Sequence, residues 1–164
     1  MPKILMLLRH AKSSWREPGC RDHDRPLNKR GNKAAPRMGQ LLRQQKLVPD
    51  RMISSTAVRA RATAQAVAEA SGSEGKVQLS PELYLAAPAS YIDVLRRLSG
   101  DPQRVLAVGH NPGIQSLLAH LTGQELAMPT AALAVVSLAI EGWDELSVHA
   151  AGELLGFWRP RQLD

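Results

Sequence analysis

Short apolar runs, each followed by a helix-patterned segment, constrain the fold of this chain more than any other feature. Runs of strand length stand at residues 3–8 (KILMLL), 50–55 (DRMISS) and 104–109 (RVLAVG). The continuous apolar character of residues 3–8 is typical of a strand buried on both faces. Residues 50–55 resemble a second buried strand, and residues 104–109 are the clearest strand of the three. Segments with a helical pattern follow them at residues 28–45, 57–70 and 111–121. This alternation predicts an α/β fold, a three-layer α/β/α sandwich around a mostly parallel central sheet.

The remaining segments predict how the sheet is completed. Residues 76–80 form a brief strand, and residues 88–99 form a helix with apolar residues along one face. Residues 132–140 and 145–150 are expected to pair as a hairpin around the sequence EGWD. This hairpin would give the parallel sheet an antiparallel edge.

Polar residues and a proline predict where the helices begin. Asn28 can cap the helix that runs to about Leu42–Gln45, and Ser55 or Thr56 can cap the helix from residue 57. Pro112 is expected in the first turn of the helix at residues 111–121, where its missing N–H costs nothing.

The bulk properties predict a single domain spanning residues 1–164. The chain has 164 residues, of which 44% are hydrophobic, enough for a proper core. Its apolar N-terminal run is too short for a secretion signal or a membrane span, and a single cysteine, Cys20, fits a reducing compartment. We therefore expect a cytoplasmic protein without a membrane partner.

The basic charge does not by itself predict a nucleic-acid partner. The formal net charge is +6 at pH 7, but the cations are scattered and no zinc-finger or RNA-binding signature accompanies them. A basic surface that attracts an anionic substrate explains the charge equally well, so we expect no nucleic-acid partner.

Polar, chemically active residues follow three of the predicted strands directly. Arg9 and His10 follow the first strand, Arg59 stands in the first turn of the helix after the second, and His110-Asn111 follows the strand at 104–109. Ligands of open α/β sheets bind at the carboxyl ends of the strands. We therefore expect two histidines and two arginines to converge in one crevice.

This set of residue types suits phosphate chemistry. Guanidinium groups offer paired donors to phosphate oxygens, and helix N-termini add backbone N–H groups. A neutral histidine among them can attack phosphorus and form a phosphohistidine intermediate. The neighbouring cations favour that neutral form and stabilise the phosphoryl group in transfer.

Other mechanisms find no matching motif. The position six residues after Cys20 is Pro26, where a cysteine phosphatase loop needs arginine. The chain has no phosphate loop of the G-x-x-x-x-G-K-[ST] type, no G-x-S-x-G elbow and no H-E-x-x-H motif. We expect neither a metal nor a cofactor. Arg61 lies about 200° around the helix from Arg59 and cannot share its task.

Four stretches, which lie within residues 7–113, are LLRHAKSSW, DHDRPLNKRG, MISSTAVRARATA and VGHNPG. Together they resemble the histidine phosphatase superfamily, the phosphoglycerate-mutase-like fold, and within it the small SixA phosphohistidine phosphatase branch. The resemblance implies that His10 is the phosphorylated nucleophile and that Arg9, Arg59 and His110 form the phosphate pocket. Ala11 stands where larger members usually have glycine, as in many members of the small branch.

The substrate and its proton donor are less defined by the sequence. Lys12, Ser13 and Asn111 lie near enough to the predicted site to bind substrate. Residues 11–27 are polar and predict a long loop, which together with Lys12 could line an open basic groove. Glu82 is the candidate general acid, because it lies in the region where larger family members carry theirs; the alternative is that it only caps or pairs. Asp22 and Asp24 are further candidates, or the stretch DHDRPLNKRG instead pins the loop, with Asp24 or Arg25 in ion pairs.

A site without such an acid would favour phosphohistidine as substrate, because imidazole, with a pKa of about 6.5, leaves far more readily than an alcohol. The sequence therefore predicts a phosphatase acting on protein phosphohistidine. Two alternatives stay open: a phosphomonoesterase for a small metabolite such as a sugar phosphate or nucleotide, and a non-catalytic phosphate-binding module. The oligomeric state is not predicted.

Overall fold

Six strands form one mixed sheet in the computed structural model, which describes residues 1–163. Their order across the sheet is β3-β2-β4-β1-β5-β6. The strands are β1 (Lys3–Arg9), β2 (Arg51–Ser55), β3 (Val77–Ser80), β4 (Arg104–Gly109), β5 (Leu133–Leu138) and β6 (Gly152–Trp158). Strands β1 to β4 pair in parallel, and β5 pairs antiparallel with both β1 and β6. The predicted parallel sheet with an antiparallel edge is confirmed.

Helices cover the sheet on both sides. They are α1 (Lys29–Gln44), α2 (Val58–Ser71), α3 (Pro88–Arg96) and α4 (Gly113–Thr122). Side chains of α1 and α2 belong to one buried cluster, and those of α3 and α4 belong to another. The three-layer sandwich expected from the sequence is therefore present.

The alternating direction of the side chains along β1 explains how this strand packs against the helices on both faces of the sheet. Leu5 and Leu7 are buried in the cluster with α3 and α4, while Met6 and Leu8 are buried in the cluster with α1 and α2. Successive side chains of a strand point to opposite faces, so a continuous apolar run fills both cores.

The strand order places three of the predicted polar junctions side by side. Strand β4 lies between β2 and β1, and Arg9 is level with Gly109 in the register. Because parallel neighbours end at the same edge of a sheet, the residues that follow β1, β2 and β4 meet there.

The predicted hairpin is wrong in its second strand. Residues 145–150 form no strand; β6 begins at Gly152 and pairs antiparallel with β5. The intervening sequence EGWD does not form a tight hairpin turn; hydrogen bonds and burial hold it against the rest of the protein. Trp143 is buried and donates from Nε1 to the Pro102 carbonyl at 2.7 Å, and the Glu145 carboxylate accepts the N–H of Gly142 at 2.9 Å.

Helix starts also differ from the predictions in two places. Neither Ser55 nor Thr56 is the N-cap of α2; Ala57 stands at that position without a side-chain cap. The Ser55 hydroxyl accepts the N–H of Ala57 at 3.2 Å, and Thr56 meets His23. Helix α4 begins at Gly113, with Pro112 as its N-cap instead of a first-turn residue.

The start of α1 agrees with the prediction, and the end of α3 differs from it by a few residues. Asn28 caps α1 as predicted, because its side chain accepts the N–H of Gly31 at 2.9 Å. Helix α3 ends at Arg96, before the predicted end at residue 99. Within residues 1–163, no helix has the length and apolar character needed to cross a membrane.

Candidate active site

His10 lies directly after β1 with its ring oriented by its own backbone. The ring is buried, and Nδ1 lies 2.8 Å from the Ala11 carbonyl. A carbonyl only accepts, so Nδ1 carries the proton and Nε2 has the lone pair. Burial lowers the pKa of His10 to about 4 against the opposing effect of this hydrogen bond, with Arg59, Arg9 and Arg25 adding smaller lowering effects. The ring is therefore neutral at neutral pH, with a nucleophilic nitrogen available.

His110 lies beside His10 at the end of β4. The centroids of the two rings are 5.1 Å apart, and Nε2 of His110 lies 2.8 Å from the Ser55 hydroxyl. Burial, and then the neighbouring His10 and Arg59, lower the pKa of His110 to about 3.

The tautomer of His110 follows from its partner. The Ser55 hydroxyl already accepts the Ala57 N–H, and its proton has no other acceptor than Nε2 in the described part of the chain. We therefore assign the ring proton to Nδ1. That nitrogen is buried and has no partner among residues 1–163, so it is an available donor.

Arg9 brings a second available donor to the same place. Its Nη1 donates to the Met128 carbonyl at 3.1 Å, while its buried Nε has no partner among the described residues. Burial and the charge of Arg59 lower the pKa of Arg9. Two guanidinium groups close enough to affect each other define a position that favours an anion.

Arg59 is held by the long loop between β1 and α1. Its guanidinium is buried, and it donates from Nη1 to the Asp22 carbonyl at 2.7 Å and from Nη2 to the Asp22 carboxylate at 3.0 Å. Thr63, one turn later on α2, accepts the N–H of Ala11 at 2.9 Å and so ties this helix to the residue after His10.

The Asp22 side chain accepts hydrogen bonds from three side chains, of which Arg25 lies in the same loop and Arg59 and Tyr84 lie in other parts of the chain. Its carboxylate also accepts from Nη1 of Arg25 at 3.0 Å and from the Tyr84 hydroxyl at 2.5 Å. The hydrogen bond from Tyr84, followed by those from Arg59 and Arg25, holds the pKa of Asp22 far below its usual range. Asp22 is therefore an anion and a poor proton donor at neutral pH.

Tyr84 is a site residue that the sequence reasoning missed. Its ring packs edge-on against His110, with centroids 5.5 Å apart, and against His23 at 4.8 Å. The signal was available, because Tyr84 follows β3 at the same edge of the sheet as the other junctions. Burial and the hydrogen bond to Asp22 raise the pKa of Tyr84.

The three predicted substrate-binding residues differ in their exposure and in their hydrogen-bond partners. Lys12 is exposed next to the site, as expected. Ser13 is buried and its hydroxyl accepts a hydrogen bond from Nη2 of Arg25, so it anchors the loop. Asn111 donates to the Met128 carbonyl at 2.9 Å, while its Oδ1 is buried without a partner in the described residues.

The candidate general acids are all engaged with cations. Glu82 is exposed and pairs with Arg97 at 2.5 Å, so the structure gives it a surface partner instead of a contact with the histidines. Asp24 is exposed and lies 3.4 Å from Nε of Arg21. Within residues 1–163, no group of three or more His, Cys, Asp or Glu side chains is arranged to hold a metal ion.

Two buried, neutral imidazoles lie with the buried guanidinium of Arg59 and the half-buried guanidinium of Arg9 at the carboxyl edge of the parallel strands. Together, the fold and this cluster define a class of α/β enzyme that handles phosphoryl groups. Residues 5–84 match the profile of the histidine phosphatase superfamily (branch 1). The chain belongs to this superfamily and is a phosphatase by class.

Solved structures extend the match to nearly the whole chain. The SixA protein of Agrobacterium tumefaciens is 32% identical, with 98% of this chain and 99% of that chain covered and a TM-score of 0.82. The SixA protein of Nakamurella multipartitia is 31% identical, with 98% and 97% covered and a TM-score of 0.84. A protein histidine phosphatase SixA complexed with tungstate shares the fold at 23% identity, with 98% and 99% covered and a TM-score of 0.83.

Proposed function

We propose that this chain hydrolyses phosphohistidine in proteins through a phosphorylated His10, as one histidine phosphatase domain and without a metal ion. The observation that carries the proposal is the state of His10: its proton is fixed on Nδ1 by the Ala11 carbonyl at 2.8 Å, and its Nε2 lone pair is left for attack. Arg9, Arg59 and His110 surround that nitrogen with donors.

The first step transfers the phosphoryl group to the enzyme. Nε2 of His10 attacks phosphorus, the bond between phosphorus and the leaving nitrogen breaks, and that nitrogen takes a proton from solvent. The positive charge that develops on the His10 ring is shared with the Ala11 carbonyl through the Nδ1–H hydrogen bond. The Ala11 contact therefore orients the nucleophile and stabilises its phosphorylated form.

The second step returns the enzyme to its starting state. A water molecule attacks phosphorus, the bond to Nε2 breaks, its electron pair returns to the ring, and the surplus proton of the water passes to solvent. In both steps the phosphoryl oxygens accept from Arg9, Arg59 and Nδ1 of His110. Donors fixed before the reaction stabilise the charge in the transition state without reorganisation.

The state of the acidic residues favours phosphohistidine over phosphate esters. An alcohol leaves readily only when an acid protonates it, but Glu82 is paired with Arg97 on the surface and Asp22 is held as an anion. Imidazole, with a pKa of about 6.5, needs much less help. The likeness to the SixA proteins points the same way.

A substrate panel tests the proposal. Three substrates are compared at equal concentration, with His10→Ala as the control. They are p-nitrophenyl phosphate, glucose 6-phosphate, and a protein whose histidine has been phosphorylated by reaction with phosphoramidate. We expect the highest kcat/KM for the phosphohistidine protein and loss of all turnover in His10→Ala. Efficient hydrolysis of glucose 6-phosphate with the phosphohistidine protein untouched would favour the metabolite phosphatase. Phosphate binding without turnover of any substrate would favour a binding module.

A further inference from the structure

A groove of about 680 Å³ lies beside the site and is lined by cationic side chains from three parts of the chain. We call it the basic groove; its cations are Lys12, Arg30, Lys33, Arg37, Arg159 and Arg161. Its other lining residues are Ala34, Pro129, Thr130 and Pro160, so no carboxylate of residues 1–163 lines it. The groove therefore concentrates positive charge in a way that the scattered sequence positions do not reveal.

The groove is continuous with the loops that hold the proposed nucleophile. Lys12 stands two residues after His10. Thr130 precedes Ala131, whose N–H donates to the carbonyls of Arg9 at 3.1 Å and His10 at 3.0 Å. A partner whose phosphohistidine reaches His10 would thus extend directly across the groove.

Three of the groove cations lack an acidic partner. Lys12, Arg30 and Lys33 are exposed, and none of them forms an ion pair with another residue among 1–163. Some other cations have such a partner, as with Lys3 and Asp101 at 2.5 Å and Arg97 and Glu82 at 2.5 Å. Three cations without an acidic partner among the described residues thus line one groove.

The position of these charges suits a macromolecular substrate. A phosphoryl group needs only the donors around His10, so cations in the neighbouring groove would meet other parts of the molecule that carries it. Exposed charges that complement a partner act mainly on encounter rate and on the choice of partner. We propose that the basic groove docks an acidic face of the phosphohistidine-bearing protein; this rests on the proposed function.

Two histidine-phosphorylated peptides of equal length test the proposal. One has Asp and Glu around the phosphohistidine, and the other has Asn and Gln in their place. For the unaltered enzyme we expect kcat/KM to be about tenfold or more higher for the acidic peptide at low salt. The advantage should shrink between about 10 mM and about 1 M salt, as the Debye length falls from about 30 Å to about 3 Å.

Two matched double variants test whether the preference for the acidic peptide depends on the basic groove. Arg30→Glu/Lys33→Glu should abolish the preference for the acidic peptide and leave the hydrolysis of p-nitrophenyl phosphate unchanged. Lys46→Glu/Lys76→Glu makes the same change in net charge at exposed positions before β2 and β3, at the opposite edge of the sheet. This control should keep the preference.

The outcomes separate this proposal from the proposed function. Equal hydrolysis of both peptides by the unaltered enzyme would overturn the docking role while leaving the function intact. Failure to hydrolyse either peptide would overturn the function itself. Salt-sensitive binding of a DNA or RNA oligonucleotide that Arg30→Glu/Lys33→Glu removes, together with equal peptide hydrolysis, would assign the groove to nucleic acid instead.

Discussion

The Asp22 carboxylate accepts a hydrogen bond from Nη2 of Arg59 at 3.0 Å, and the Asp22 carbonyl accepts from Nη1 at 2.7 Å. Asp22, a loop residue, thus accepts hydrogen bonds from both terminal nitrogens of Arg59, the guanidinium that we expect to bind the substrate phosphate. The negative charge of Asp22 holds Arg59 in place, but it also stands close to the position of a phosphate dianion. We therefore expect Asp22 to weaken the retention of phosphate by the site.

Asp22→Asn should strengthen the binding of inorganic phosphate. The amide keeps an oxygen that can accept from Arg59 but removes the charge that repels phosphate, a gain of about 1 kcal/mol or a factor of about 5 to 10. The inhibition constant of phosphate against p-nitrophenyl phosphate hydrolysis measures this. Asp24→Asn, two residues away in the same turn, is the control and should change little. Unchanged or weaker phosphate inhibition in Asp22→Asn would mean that Asp22 acts only by positioning Arg59.

Arg59→Ala should lower kcat/KM by about 10²- to 10³-fold, the usual cost of removing one donor from a preorganised anion site. Arg61→Ala is the matched control on the same helix, because Arg61 is exposed and points away from Arg59. The control should keep activity near that of the unaltered enzyme. Similar losses in both variants would show that the effect comes from the helix and not from the Arg59 guanidinium.

Glu82→Gln should leave the turnover of glucose 6-phosphate, whose alcohol leaving group needs a proton, nearly unchanged from that of the unaltered enzyme. Glu82 pairs with Arg97 on the surface, and exposed ion pairs typically contribute only about 0 to 1 kcal/mol. A general acid usually contributes a factor of about 10² to 10⁴. A loss of that size, with a flattened basic limb in the pH profile, would restore Glu82 as the acid.

The convergence of His10, Arg59 and His110 could be predicted because it depends only on local sequence and strand direction. Each residue follows a short apolar run, and parallel strands end at one edge. Gly31 shows the limit of local reasoning. It weakens the helix pattern of α1, yet a Cβ there would lie 2.1 Å from the Lys12 carbonyl oxygen, so glycine lets the loop after His10 approach the helix.

An ion pair of Arg25 within the loop is among the expectations from the sequence, and Arg25 pairs with Asp22 at 3.0 Å. The contacts of Asp22 with Arg59 and of Tyr84 with Asp22 could not be predicted, because they depend on the path of a long loop across the site. Strand β6 begins later in the sequence than predicted for a related reason. Residues 145–150 have an alternating pattern, but burial of Trp143 and Leu146 fixes this segment against the core, and pairing resumes only at Gly152. Long-range packing decided both cases.

Acid should destabilise the protein through its two buried histidines. Their pKa values are lowered to about 4 for His10 and about 3 for His110, against about 6.5 in the unfolded chain. The unfolded state therefore binds more protons below pH 6.5, and the free energy of unfolding falls as the pH decreases from about 6.5 to about 4.

The slope should be about 1.4 kcal/mol per pH unit for each histidine that is protonated only on unfolding. Urea unfolding at several pH values measures it. His10→Ala removes one of these groups and should make the pH dependence less steep in this range, whatever its effect on stability at neutral pH. An equal slope in both proteins would mean that the His10 pKa is not lowered by folding.

Trapping the phosphorylated enzyme tests the central claim most directly. A histidine-³²P-phosphorylated protein is mixed with the unaltered enzyme, the reaction is stopped in alkali within the first turnovers, and the label is mapped. We predict an acid-labile, alkali-stable phosphoryl group on His10, which disappears when unlabelled substrate is added and does not form in His10→Ala. Normal turnover without a trapped label, or a label on another residue with His10→Ala still active, would contradict the mechanism.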